Sequence, residues 1–566
     1  MKEEKTVNAY FKQVIKDNWD AESLTNFKGN TFTFSDIAHV ITNIHIIFEK
    51  AGIKPGDKIA LCGQNNAEWL ISFVSIMSYG AVVVPILSDF KPDTLHHLIN
   101  HCDAKALFTN KAIWNTLDPK AVEHLKFVVG VDHYGTPSVT GTDRDDVSLL
   151  LSRDKKVTEA TEKIKVLFAE NYPRGLKPAD LKFAHVKPED VVLINYTAGS
   201  TGFSKGVMLS EHALWSNIQF CIDKLTFLNP GDSIVSLLPL AHMYGLVIEA
   251  LHPFIKGCHI YLLNRTPAPK ILLEAFAHVR PKLIISVPLV LEKIIKTRVF
   301  PRLRKPSMRL MLNIPFLNGI VLKKIRETLI EAFGGRLIEI IIGGAGLAHE
   351  VEDFLRRIGF PVTVGYGMTE CGPLISYWPH ETQRISSCGR VVDRMEARVD
   401  SPDPENQPGI LWVRGDNVML GYYKNEEATQ SIMKDGWMST GDICQMDKDG
   451  YIYIRGRDKN MILGPSGQNI YPEEIEAVFN ESDLVAESLV IENKGKLIVL
   501  IVPNADTLKE KGLTSDDAIN AAFRELLAAS NKVLPSYSQV AEYQLRDEEF
   551  EKTPKRSIKR YLYQAN

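Results

Sequence analysis

Tyr196-Thr197-Ala198-Gly199-Ser200-Thr201-Gly202-Phe203-Ser204-Lys205-Gly206 sets three glycines, four small hydroxyl residues and one lysine between apolar runs. Val191-Val192-Leu193-Ile194 ahead of it predicts a buried strand. Val207-Met208-Leu209 is a second short apolar run, and Ser210 is placed as the N-cap of a following helix. Glycines let a backbone approach an anion closely and turn its N–H groups inward, while hydroxyls and a lysine add donors and charge. The stretch asks for a polyphosphate. A Walker loop is excluded, because it needs Gly directly before the lysine and Ser or Thr directly after it. Here Ser204 precedes Lys205 and Gly206 follows. A merely flexible surface loop would not be flanked so closely by core strands.

The chain has 566 residues, which implies two to four domains, and its 45% hydrophobic and 24% charged content is that of a soluble globular protein. A formal charge of −3 gives no general pull toward nucleic acid, and none is expected as a partner. The seven cysteines are scattered, with no C-x-x-C pair, which argues against a disulfide framework and a zinc site and for a reducing cytoplasm. Trp69 to Ser88 carries no charge over the length of a membrane span, about twenty residues. Its recurrent serines, the Tyr79-Gly80 break and the switch to Val82-Val83-Val84 instead predict a buried helix turning into a buried strand.

From Thr31 to about Asn110, helical and strand periods alternate. A helix opens at Ser35-Asp36, strands are expected over Lys58–Cys62, Ala81–Ile86 and Ala106–Phe108, and helices over Ala67–Tyr79 and Lys91–Asn100. This rhythm implies an α/β fold with a parallel sheet covered by helices. Residues 145–188 are polar and predict a surface excursion with one or two amphipathic helices. Asp232–Pro239 is expected as a strand. From Lys296 to Lys324, Arg298, Arg302, Arg304, Lys305 and Arg309 interleave with Phe300, Met311, Ile314, Phe316 and Leu317. Such a pattern suits either peripheral membrane contact, through 298–317, or a solvated basic face over a helical hairpin.

Two further apolar strands, Leu337–Ile342 and Phe360–Val364, run into Gly343-Gly344-Ala345-Gly346 and Gly365-Tyr366-Gly367-Met368-Thr369-Glu370. Ligands of open parallel sheets sit at the carboxyl ends of strands, where both glycine segments fall. The glycines would let a purine slide against backbone, and Tyr366 offers it a face. Thr369 and Glu370 form an oxygen set suited to Mg2+, which takes one or two carboxylates with phosphate oxygens.

These segments resemble, in order, motifs of the adenylate-forming (AMP-binding) ligases, and among them most nearly the bacterial long-chain fatty acyl-CoA synthetases. The opening stretch is similar to the family's Tyr-Thr-Ser-Gly-Thr-Thr-Gly-x-Pro-Lys-Gly, departing at Ala198, Ser200 and Ser204. Pro239-Leu240-Ala241-His242-Met243-Tyr244-Gly245, the two glycine segments, and Trp437-Met438-Ser439-Thr440-Gly441-Asp442 match the next four motifs. Arg455-Gly456-Arg457-Asp458-Lys459 resembles the hinge that opens the family's small domain.

The resemblance covers about Thr31 to Arg560. It implies a large N-terminal domain of stacked αβ sheets, 1–458, and a small mobile α+β domain, 459–566, hinged at Lys459. It implies ATP, Mg2+ and coenzyme A as cofactors, and a fatty acid activated to an acyl-adenylate and passed to the thiol. Thr197, Ser200, Thr201, Gly202 and Lys205 would hold the phosphates. Gly344, Ala345, Gly346, Gly365, Tyr366, Gly367, Met368 and Thr369 would border the nucleotide, and Glu370 would hold the metal. Asp442 and Arg457 would meet the ribose, and His242 the carboxylate pocket. The alternatives are an aryl-CoA ligase, an acyl-carrier-protein ligase, or a non-catalytic acyl or nucleotide sensor. A cytoplasmic site, or one peripheral to the inner face of the membrane, follows; chain length, acceptor and oligomeric state do not.

The tail departs from the pattern. Relatives place a lysine four residues after the position of Thr553, where this chain has Ser557. If 553–559 is extended, Lys555, Ser557 and Lys559 face one side. A two-residue shift is then about 6.6 Å, a distance a lysine side chain can span. Lys559, or failing that Lys555, is expected to supply the charge.

Overall fold

The alternating periods of the first hundred residues build the centre of an eight-stranded sheet. A computed structural model of the chain describes residues 6–135, 147–197, 204–263, 269–463, 469–493, 496–553 and 557–563. The sheet runs Gly421–Tyr422, Lys205–Ser210, Val191–Thr197, Val82–Leu87, Lys58–Gly63, Ala106–Thr109, Phe127–Gly130 and Ser148–Ser152. Its five central strands are parallel, and the others pair antiparallel. The uncharged run resolves as expected: helix Ala67–Ser78 is buried along its whole length and turns at Tyr79-Gly80 into the buried strand Val82–Leu87. Among the described residues no helix is long and apolar enough to cross a membrane.

A second sheet orders Ser233–Ser236, His259–Leu262, Glu22–Asn26 and Thr31–Thr33. Leu283–Ser286, Glu339–Ile342 and Val362–Val364 form a parallel three-stranded sheet, and both glycine segments leave its carboxyl ends. An antiparallel sheet around Trp437–Met446 follows. The polar excursion gives two short helices, Lys155–Glu162 and Ile164–Asn171, and adds an unexpected edge strand, Ser148–Ser152. The Asp232–Pro239 expectation is too long: the strand ends at Ser236, because the next two N–H groups are taken by a buried carboxylate.

The basic-apolar segment forms helices Phe300–Leu303, Pro306–Asn313 and Pro315–Ala332. Phe300 is a correction to the surface reading. Its ring is buried edge-on against Phe354, 5.3 Å between centroids. Leu310, Ile314, Phe316 and Ile320 are exposed, Phe316 at 79%.

Beyond Arg457 the chain builds a small sheet of Val485–Asn493, Lys496–Pro503 and Glu542–Leu545 against helices Pro472–Asn480 and Asp516–Val533. The large domain thus precedes a small α+β domain. Phe479 sits fully buried in the small core with Ile475, Val499 and Phe523, and this core shares no residue with those before it. Phe479→Ala should cost about 3–5 kcal/mol. Differential scanning calorimetry should show it lowering one transition and leaving the larger one in place. A uniform shift of a single transition would contradict an independently folding small domain.

Candidate active site

The glycine segments and the His242 loop, far apart in sequence, meet around one cavity of about 70 Å³. His242, Gly344, Gly365, Tyr366, Gly367, Met368 and Thr369 line it, and Phe220, Cys221, Leu225 and Ile248 supply apolar wall. The glycines serve packing as much as ligand access. A Cβ on Gly367 would lie 2.1 Å from the Pro373 carbonyl oxygen, and one on Gly343 2.8 Å from the Tyr244 ring. Gly344, at φ +86°, has open space instead, with Val287 3.9 Å away as its nearest neighbour. Ala345 and Gly346 continue the same turn and are exposed.

Tyr366 belongs to two sites at once. Its ring borders the cavity, while its hydroxyl donates to Asp442 Oδ2. Arg457 Nε meets the other oxygen, Oδ1, at 2.7 Å. The strand pairing that sets Asp442 opposite Arg457 fixes this geometry. Burial holds the Asp442 carboxyl above the usual carboxylate range, against the pull of the Arg457 guanidinium. Each carboxylate oxygen carries two lone pairs, so Asp442 keeps capacity for two sugar hydroxyls.

Glu370 lies in a single 3-10 turn, Thr369–Cys371, and is 8% exposed. Tyr422, a residue the sequence reading missed, donates its hydroxyl to Glu370 Oε1 at 2.9 Å. The ammonium of Lys205 sits over the same ring, 4.8 Å from its centroid. Among the described residues no lysine or arginine closes an ion pair on Glu370, and no group of three or more His, Cys, Asp or Glu could cage a metal. A buried carboxylate that shares the Tyr422 ring with a lysine fits Mg2+, which takes most of its ligands from phosphate and water. Thr197 closes the strand ahead of the loop, its hydroxyl donating to the Lys205 carbonyl at 3.4 Å. Ser200, Thr201 and Gly202 lie outside the described residues.

Two buried polar residues hold this assembly. Asn217 donates to the Cys371 carbonyl at 3.1 Å and accepts from the Leu374 N–H at 2.9 Å, fastening the Glu370 turn to helix Glu211–Lys224. Glu249 accepts the N–H groups of Leu237 and Leu238 at 2.8 and 2.9 Å and the Ser236 hydroxyl at 3.1 Å. It thereby bends the chain out of its strand toward His242. A lone Glu inside Gly245-Leu246-Val247-Ile248-Glu249-Ala250-Leu251 was a readable signal for this.

Lys459 lies in the turn Asp458–Asn460 that joins Arg457 to the small domain. The tail corrects the extended reading. Thr553 N–H donates to the Ser557 carbonyl at 2.8 Å and Lys559 N–H to the Glu551 carbonyl at 2.8 Å, so the chain doubles back between them. Lys559 pairs with Glu551 at 3.1 Å and is not brought to Lys205 or Glu370. Lys555 lies outside the described residues.

Residues 11–423 match the family described as AMP-binding enzyme, and residues 459–566 its C-terminal domain. The chain belongs to the AMP-binding enzyme family. It is 30% identical over 492 residues to a long-chain-fatty-acid–CoA ligase of Escherichia coli O157:H7, covering 84% of this chain and 81% of that one. Its fold is similar to ATP-bound MatB from Rhodopseudomonas palustris, with TM-score 0.75, 21% identity, and 99% and 98% of the two chains covered. It is also similar to o-succinylbenzoate coenzyme A synthetase from Bacillus subtilis in complex with ATP and magnesium ion, with TM-score 0.72, 20% identity and 98% coverage of both chains.

In this AMP-binding enzyme burial lifts the Glu249 carboxyl to about 8, against the N–H groups and hydroxyl that favour its ionised form. The folded chain keeps a proton that the unfolded chain releases above its ordinary value of 4.5. That stability is complete below the ordinary value and is lost as pH rises through about 8. Melting temperature should therefore fall across this range, and Glu249→Gln, which cannot ionise, should flatten the fall. An unchanged slope in the variant would place the proton elsewhere.

Proposed function

We propose that this enzyme activates a fatty acid with ATP to an acyl-adenylate and transfers the acyl group to coenzyme A, releasing pyrophosphate and AMP. The observation that carries the reading is Tyr366, whose ring borders an apolar cavity while its hydroxyl holds Asp442. An acid in the cavity would have its carboxylate beside a nucleotide on Asp442 and Arg457. The names of relatives point the same way, among them the Escherichia coli long-chain-fatty-acid–CoA ligase.

In the first half-reaction a carboxylate oxygen attacks the α-phosphorus of ATP and the bond to the bridging oxygen of pyrophosphate breaks. Lys205, Thr197, Ser200, Thr201 and Gly202 hold the departing phosphates, and Asp442 and Arg457 hold the ribose. Gly344–Gly346 and Gly365–Thr369 flank the purine, and His242 borders the carboxylate end of the pocket. Glu370 would hold Mg2+, which offsets charge developing on the phosphate oxygens. Catalysis here is positioning and charge stabilisation. In the second half-reaction the thiol of coenzyme A attacks the acyl carbonyl and AMP leaves. A small domain, 459–566, turning about Lys459 would let one cavity serve both steps and keep water from the adenylate. The same turn would carry the tail toward the α-phosphate, and Lys559, or Lys555, would there supply the charge.

The segment from Lys293 to Arg326 carries ten basic residues and no acidic one in a chain of net charge −3. Beside them stand the exposed Leu310, Ile314, Phe316 and Ile320. These suit an anionic lipid surface, from which a fatty acid would be drawn.

Carboxylate-dependent exchange of labelled pyrophosphate into ATP tests the reading. A panel of fatty, aromatic and branched acids should give exchange and coenzyme A thioesters best with fatty acids. Preference for aromatic acids would favour an aryl-CoA ligase, and no exchange with any acid a sensor. Lys559→Ala should reduce exchange about a hundredfold, in line with the loss of transition-state charge stabilisation. Wild-type rates in both Lys559→Ala and Lys555→Ala would remove the tail lysine from the mechanism.

Sedimentation with phosphatidylglycerol vesicles should bind the chain, and neutral phosphatidylcholine vesicles should not. Raised salt or Phe316→Ser with Leu310→Ser should weaken that binding; equal binding to both vesicles would refute the basic surface.

A further inference from the structure

The two opposite charges of the phosphate end, Lys205 and Glu370, share one neighbour. The Tyr422 ring carries the Lys205 ammonium on its face at 4.8 Å, and its hydroxyl donates to Glu370 Oε1 at 2.9 Å. Left to themselves in a partly desolvated cleft, an ammonium and a carboxylate this close to a common group attract strongly. Their closure into an ion pair would satisfy both and leave neither for a ligand. We propose that Tyr422 is a positioning residue that holds Lys205 and Glu370 apart, aiming the first at phosphate and the second at a divalent cation. The inference rests on the phosphate and metal roles proposed above for those two residues.

Few side chains could do this. A phenylalanine would seat the ammonium but leave the carboxylate without its donor, and a serine or threonine would offer the donor without the face. Tyr422 is 7% exposed and is itself rigidly placed. Gly421 and Tyr422 pair antiparallel with Met208 and Val207, on the strand that begins at Lys205. The N–H of Leu420 donates to the Met208 carbonyl at 2.9 Å and that of Tyr423 to the Gly206 carbonyl at 2.7 Å, on either side of the ring. The N–H of Tyr422 donates to Thr429 Oγ1 at 2.9 Å. Gly421 allows this approach, since a Cβ there would lie 2.9 Å from Thr429 Cγ2. Just before this strand, the Met419 N–H donates to the Glu370 carbonyl at 2.9 Å. The lysine strand, the ring and the Glu370 turn are therefore one hydrogen-bonded unit.

Tyr422→Phe and Tyr422→Leu in the full chain test this. Binding of inorganic pyrophosphate is measured by calorimetry without metal, and binding of ATP is followed as Mg2+ is raised. Tyr422→Phe should bind pyrophosphate as the unaltered chain does, yet need about tenfold more Mg2+ for half-maximal ATP binding, the loss of one hydrogen bond to a charged group. Tyr422→Leu should show that shift and, in addition, bind pyrophosphate about fivefold more weakly, the loss of a cation–π seat. Unaltered Mg2+ dependence in Tyr422→Phe overturns the proposal, as does unaltered pyrophosphate binding in a folded Tyr422→Leu. A ligand-free melting curve shows whether the leucine variant folds; if it does not, the phenylalanine arm decides. Should the unaltered chain bind no pyrophosphate, the phosphate role of Lys205 falls and takes this inference with it.

Discussion

The antiparallel pairing of Val191–Thr197 with Lys205–Ser210 is the constraint on which the site depends. It appends a hairpin to a parallel sheet, so that the glycine-rich stretch is pinned at both ends by core strands. The outer strand of that hairpin then accepts Gly421–Tyr422. Three residues of the candidate site hang from this ladder: Lys205 opens one strand, Tyr422 closes the next, and Glu370 is bonded to both the ring and the chain before it. A separate ladder sets Asp442 opposite Arg457, and Tyr366 ties it to the apolar cavity.

Rigidity of this kind is bought with buried polar groups that have no catalytic task. Asn217 and Glu249 spend their hydrogen bonds on backbone, at the Glu370 turn and at the bend before His242. A buried polar group left unpaired costs about 1–3 kcal/mol, so each of these residues also enforces the backbone path that satisfies it. The site is preorganised by its own supporting shell before a ligand arrives.

Local periodicity and motif chemistry made much of this legible in advance. The buried helix and strand over Trp69–Ser88, the Ser210 cap and the strands feeding both glycine segments were readable, because each depends on residues within a few positions of one another. His242, Tyr366 and Thr369 were singled out separately, and the fold brings them to one cavity. Tyr422 could not be found this way. Its meaning lies in a strand pairing with the distant Val207, and Gly421-Tyr422-Tyr423 alone carries no chemistry. The extended reading of 553–559 failed for a related reason: Thr553 pairs back on Ser557, a pairing that no short pattern announces. The glycines at 343 and 367 were read for a ligand; packing also requires them, against the Tyr244 ring and the Pro373 carbonyl.

The basic arm also touches the small domain. Lys296 donates to the Asn480 carbonyl at 3.2 Å, and Arg304 stands 3.8 Å from Asp483, both on the surface. Exposed contacts of this kind are worth at most about 1 kcal/mol each and weaken with salt. They amount to a latch that thermal motion can lift. Both contacts weaken together as salt rises, so the seam between the basic arm and the small domain is sensitive to ionic strength.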